Sequence, residues 1–213
     1  MHTIQPDFTV RTSTWAALLL IPLSLLIICC APQHWSYENG VIENAQLILL
    51  LIGTILCLTA RNHKRAYLFI AVVLIALAMR EVNCGRVLLW SKPGNLIHCG
   101  PPEDYYKWKE IAHGPAIRTT MYSLLALGIA TALLYKQAYR QLLSLCTQNK
   151  IPVVEPLLAL LGTICGKLGE NHCHNTLVEE MAETLIYAAI ISLIYRYTRG
   201  LQTLSPTPTC PKN

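Results

Sequence analysis

Apolar runs long enough to cross a bilayer recur along this chain of 213 residues, and most of the loops between them are short. A hydrocarbon core about 30 Å thick takes a helix of roughly 17–25 residues. Within it each backbone polar group must be satisfied by its own segment, which favours helices. Composition agrees, with 53% hydrophobic and 14% charged residues against about 25% charged in soluble domains. The sequence predicts an all-α fold, a polytopic membrane helix bundle with the lipid bilayer as its partner. One domain covers residues 1–203, and the Pro/Thr-rich stretch 204–213 reads as a disordered tail. The net charge of +5 does not imply nucleic acid, because the basic residues lie in loops beside apolar runs.

Six spans are expected, at about 15–31, 41–60, 66–90, 117–135, 153–169 and 176–197. The first is read as an uncleaved helix. Ile27-Ile28-Cys29-Cys30 follows its apolar part and gives a poor small-residue cleavage pattern. Basic residues set the orientation. Arg61, Lys64 and Arg65 lie between spans 2 and 3, and Lys136, Arg140 and Lys150 between spans 4 and 5. Arg196, Arg199 and Lys212 close the chain. Excess Lys/Arg marks the cytoplasmic side, so both termini are expected there. Tyr105-Tyr106-Lys107-Trp108-Lys109, in the long outer loop, reads as a headgroup-level anchor.

With that topology the polar residues of separate spans meet at the outer, periplasmic membrane edge. Span 2 begins there with Glu43 and Gln46, span 3 ends there with Arg80 and Glu81, and span 6 begins there with Glu179, Glu180 and Glu183. A charge at mid-bilayer costs about 2.5–3.5 kcal/mol on insertion scales, so intramembrane acids mark functional sites by default. Glu179 and Glu183 are four apart and share a helix face that continues to Tyr187, whereas Glu180 points about 100° away. Pairing of Arg80 with Glu43 or Glu183 would offset desolvation. Each residue also has a plainer reading. Thr176-Leu177-Val178-Glu179 fits a capping box. Glu43 and Glu155 suit the positive end of a helix dipole. Arg80 and Glu81 could mark the water boundary. The candidate ligand-binding set is Glu43, Gln46, Arg80, Glu81, Glu179 and Glu183.

Glu170-Asn171-His172-Cys173-His174 is the most metal-like string, and zinc accepts His, Cys and carboxylate ligands. His113, His172 and His174 form the candidate zinc set, with His98 a further source. Cys84, Cys99 and Cys173 fall on the outer side, where Cys84–Cys99 or Cys99–Cys173 disulfides could persist. With no C-x-x-C pair, G-x-S-x-G elbow or P-loop, the common oxidoreductase, hydrolase and nucleotide-binding patterns are missing.

Three segments carry a resemblance. They are Tyr37-Glu38-Asn39-Gly40-Val41-Ile42-Glu43-Asn44-Ala45-Gln46, Arg80-Glu81-Val82-Asn83-Cys84-Gly85-Arg86, and His174-Asn175-Thr176-Leu177-Val178-Glu179-Glu180-Met181-Ala182-Glu183. Together they resemble bacterial multi-pass inner-membrane proteins with an acidic second-helix start and a late His-Asn followed by glutamates. Many such proteins have a second acid where this chain has Arg80 and a tryptophan where it has Cys84. The resemblance implies a bacterial inner-membrane setting and brings no activity with it. Three functions follow as expectations. The first is a pocket at the periplasmic membrane edge binding an ion, a small polar solute or a lipid headgroup. The second is a membrane-embedded metal-dependent lipid hydrolase. The third is a structural or accessory subunit.

Overall fold

The computed structural model describes residues 6–37, 40–90, 92, 106–148, 151–169 and 175–200. Six helices of fifteen or more residues dominate them: α1 (Thr12–Cys30), α2 (Val41–Thr59), α3 (Lys64–Glu81), α5 (Gly114–Leu134), α7 (Val154–Leu168) and α8 (Thr176–Gly200). Two shorter helices, α4 (Arg86–Leu89) and α6 (Ala138–Gln148), fill connections. A two-residue parallel pairing joins β1 (Pro6–Asp7) to β2 (Ile151–Pro152). The fold is therefore all-α, as expected. Three helical stretches are long and apolar enough to cross a membrane: α1, α2 and Gly114–Leu145. The others carry more charge or are shorter. α3 has Lys64, Arg65, Arg80 and Glu81 at its ends, α7 has 15 residues, and α8 has three glutamates in its first half.

The outward faces are apolar. Leu19, Leu25, Ile55, Leu58, Leu124 and Leu127 are each at least 59% exposed. Side chains of that kind spread along several helices make a surface that water would disfavour and lipid would accept. Inward, α8 is the hub, packing against α7, α2 and α1. Leu50 and Cys57 of α2 and Tyr67, Ala71 and Leu74 of α3 meet Tyr187 and Ile194 of α8. Ala17, Leu158, Ala188 and Ala189 form a second cluster among α1, α7 and α8. The α7–α8 contact needs a glycine. A Cβ on Gly162 would lie 2.9 Å from the Ala182 carbonyl oxygen and 2.7 Å from Ile186 Cγ1.

Local chemistry explains the helix ends. Asn175 caps α8, its Oδ1 accepting the Leu177 N–H at 3.0 Å. Thr176, the expected cap, lies inside the helix, and its hydroxyl meets that of Ser36 at 2.8 Å. The third helix, expected to run toward Trp90, ends at Glu81. Asn83, Cys84 and Gly85 all take positive φ, which turns the chain before α4. The segment after α5, read from sequence as a plain loop, instead forms α6, whose Leu142 and Leu145 pack into the main core. Between α4 and α5, Trp90 and Trp108 lie tilted against each other with ring centroids 5.9 Å apart, and Arg86 donates to the Tyr106 carbonyl at 2.9 Å. Cys84 is a buried free thiol. Cys99, Cys173 and the tail 204–213 lie outside the described residues.

At the end where α7 begins, a buried network replaces the dipole role expected for Glu155. Arg196 donates to Glu155 Oε1 at 3.2 Å and to Asp7 Oδ2 at 2.6 Å, and its side chain is 5% exposed. Thr14 donates to Glu155 Oε1 at 2.6 Å, and the Thr9 carbonyl and hydroxyl oxygens accept from the same two terminal guanidinium nitrogens. Without Glu155, Arg196 keeps Asp7 but loses its more deeply buried partner, and the buried Thr14 hydroxyl loses its acceptor. Glu155→Ala is expected to cost about 1–3 kcal/mol of stability, read by thermal or chemical denaturation in detergent. Glu155→Leu with Arg196→Met should recover part of the loss.

Asp7 Oδ1 also accepts the Thr9 hydroxyl at 2.7 Å and the Thr9 N–H at 3.0 Å. These bonds, with Arg196 beside them, hold the Asp7 carboxyl down at about 2, against an ordinary 3.8. A carboxyl depressed in the folded state stabilises it above the unfolded value, and the contribution is lost as pH falls through the folded one. The N-terminal strand is therefore expected to stay docked at pH 5 and to release between about pH 4 and about pH 2. Amide exchange at Thr9 reads the release, and Asp7→Asn should abolish the pH step.

Candidate functional site

Helix directions decide which polar residues can meet. α2 and α8 start at the same end of the bundle, α3 ends there, and α5 starts there. Around that end lies a cavity of about 260 Å³. The turn after α1 contributes Ser36 and Tyr37, and α2 contributes Glu43. α3 and its terminal turn supply Arg80, Glu81 and Asn83. Tyr122 comes from α5, and Glu179, Glu180 and Glu183 come from α8. Acid side chains face one another there because each sits in the first or last two turns of its own helix.

Arg80 donates to Glu183 Oε1 at 2.5 Å, with side-chain exposures of 53% and 21%. Glu81, 7% exposed, accepts the Tyr187 hydroxyl at 2.5 Å. Glu180 accepts from the Gln46 amide nitrogen at 3.0 Å, and the same nitrogen lies 2.8 Å from the Glu180 carbonyl oxygen. Oxygens of Glu81, Glu180 and Glu183 all lie within 4.8 Å of one another. Five carboxylates and one guanidinium line the cavity. Each of the three clustered acids has its own orienting partner: Tyr187 for Glu81, Gln46 for Glu180, Arg80 for Glu183. Such partners fix the carboxylates in place without cancelling their combined charge.

Of the candidate residues, Glu43, Arg80, Glu81, Glu179 and Glu183 line the cavity. Gln46 lies behind it, fully buried, and acts through Glu180. Arg80 pairs with Glu183, one of the two partners considered. Glu180, left out because it is offset by about 100° from Glu179 on the helical wheel, belongs to the acid cluster. α8 presents two adjacent faces here, one to α3 and one to α2, and the carboxyl of Glu180 reaches back between them. Gln46 was the available signal, since a fully buried amide must find a partner on a neighbouring helix. His113 precedes α5 in a left-handed conformation, is exposed, and does not line the cavity. His172 and His174 lie outside the described residues.

Gln46→Leu tests how the cluster is held. It keeps the volume and removes the donor to Glu180, leaving a buried acceptor unpaired at a cost of about 1–3 kcal/mol. The midpoint of thermal unfolding in detergent should fall accordingly. An unchanged midpoint would mean that Glu180 does not depend on Gln46. Comparison of the chain with protein-family descriptions, curated proteins and solved structures gave no match.

Proposed function

We propose that this is a multi-pass protein of the bacterial inner membrane. It crosses six times with both termini in the cytoplasm, and its acidic cavity opens at the periplasmic membrane edge. The cavity binds a positively charged ligand, either a metal cation or the ammonium group of a small polar solute or lipid headgroup. The observation that carries this reading is crowding. Glu81, Glu180 and Glu183 bring oxygens within 4.8 Å of one another, and Arg80 is the guanidinium among the cavity-lining residues. Carboxylates so close repel, and more strongly as water is excluded. A cation seated among them removes that repulsion and gains from it. Oxygen-only donors suit hard cations such as Mg²⁺, Mn²⁺ or Ca²⁺.

The charge pattern narrows the ligand from polar to cationic. A zinc-dependent lipid hydrolase would draw on His113, His172 and His174, and the exposed His113 outside the cavity lining gives it less support. The Arg80–Glu183 pair alone would suit an accessory subunit, but it leaves the clustering of Glu81 and Glu180 without a purpose.

Calorimetric titration of the detergent-solubilised chain with MnCl₂, CaCl₂ and ethanolamine separates these readings. At least one of the three is expected to bind. Glu81→Gln and Glu180→Gln should each weaken that binding about tenfold or more, equivalent to roughly 1.4 kcal/mol. Glu110→Gln, outside the cavity, should leave it unchanged. Absence of binding by all three, or equal binding by the two cavity variants and the wild type, overturns the proposal.

A further inference from the structure

The opposite end of the bundle carries a cluster of the other sign. Arg61 lies in the turn joining α2 to α3, and Lys64 and Arg65 open α3; Lys136 lies in the kink between α5 and α6, and Arg140 in the first turn of α6. All five are exposed. Two hydrogen bonds tie these distant loops together. Arg65 Nη1 donates to the Lys136 carbonyl at 3.0 Å, and the Arg65 N–H donates to Gln141 Oε1 at 3.1 Å. Asp7 and Glu155, the acids described at this end, are already bonded to Arg196.

Membrane orientation requires basic residues in these loops. It does not require that the two loops be joined, nor that the kink be strained. Lys136 and Gln137 have φ of 42° and 59°, a conformation disfavoured for residues with side chains. The kink lays α6 against the core through Leu142 and Leu145 while Tyr139, Arg140 and Leu143 stay exposed. The Lys136 ammonium lies 5.4 Å from the Tyr135 ring, and the Arg140 guanidinium 5.9 Å from the Tyr139 ring. Aromatic rings beside basic groups, with exposed leucines next to them, match the layering of a membrane–water boundary.

We propose that this face binds the headgroup of an anionic phospholipid. Its phosphate is held between the α2–α3 turn and the α5–α6 kink, and its acyl chains lie against Leu134 and Leu143, which are 69% and 60% exposed. The site stands apart from the acidic cavity and does not depend on what that cavity binds.

Native mass spectrometry of the detergent-solubilised full chain, titrated with phosphatidylglycerol or phosphatidylcholine, tests this. Phosphatidylglycerol adducts should form at lower lipid concentration than phosphatidylcholine adducts. Each basic side chain neutralised should weaken phosphatidylglycerol binding about fivefold. Lys64→Gln with Lys136→Gln and Arg140→Gln should therefore lose about a hundredfold. The single variants Lys136→Gln and Arg140→Gln leave the Arg65 bonds intact and give the same reading should the triple variant fail to fold. Arg118→Gln, near the start of α5 and at the other end from the kink, should bind as the wild type does. Equal binding of the two lipids, wild-type affinity in the single variants, or complete displacement by millimolar inorganic phosphate would overturn the proposal. The last result would indicate a free-anion site.

Discussion

A charge left alone in hydrocarbon is too costly to keep, and α8 is the helix along which this chain encloses its charges. Near its start it carries Glu179, Glu180 and Glu183, and near its end Arg196. Both groups need partners from other helices, which is why α1, α2, α3 and α7 gather around α8. The two ends solve the problem differently. Arg196 is matched by Glu155 and Asp7, and Thr9 and Thr14 take further hydrogen bonds. There two carboxylates share one guanidinium, and both of its terminal nitrogens have partners. At the other end three carboxylates crowd one guanidinium around open space. The first arrangement is what a structural tie requires, and the second is the crowding on which the proposed cation site rests.

Helices in lipid gain little from burying apolar surface against one another, because the solvent is as apolar as they are. Close backbone approach and polar bonds must hold them instead. The α7–α8 seam follows this rule, with Gly162 against Ala182 and Ile186 and with Ala188 and Ala189 in the cluster beneath Ala17 and Leu158. Between α2 and α8, Gln46 supplies the polar bond and Gly53 admits Ile191 and Leu74 at 3.1 Å from the position of a Cβ. Many leucines and isoleucines, Leu19, Ile55 and Leu124 among them, face outward instead.

Much of this was legible in the sequence, for a physical reason. Apolar runs fix helices in lipid strongly, so five of the six long helices lie close to their expected positions. Alternating chain direction then brings Glu43, Arg80, Glu81, Glu179 and Glu183 to one end. What escaped were features set by two segments at once. Glu180 was displaced by helical-wheel reasoning, which treats a side chain as a radius and ignores its reach. The Glu155–Arg196 pair needs residues 41 positions apart to match in depth, and Asp7 joins only because β1 pairs with β2. The end of α3 depends on three consecutive positive-φ residues, of which only Gly85 announces itself by type. α6 was missed because eleven residues with Lys and Arg before and within them look like a loop when only bilayer-length runs are sought.

α3 connects the two surpluses. Lys64 and Arg65 open it at the basic end, and Arg80 and Glu81 close it at the acidic cavity. At 1.5 Å per residue its 18 residues span about 27 Å, close to the roughly 30 Å of a hydrocarbon core. The stretch between the charges, Ala66–Met79, holds no ionisable group except Tyr67, which is buried in the core. With four charged residues in 18, α3 is not among the helices apolar enough to cross a membrane, and all four lie at its two ends. On the proposed six-span reading, that spacing would put an anionic headgroup at one surface and a cation at the other, each drawn by the excess of opposite charge.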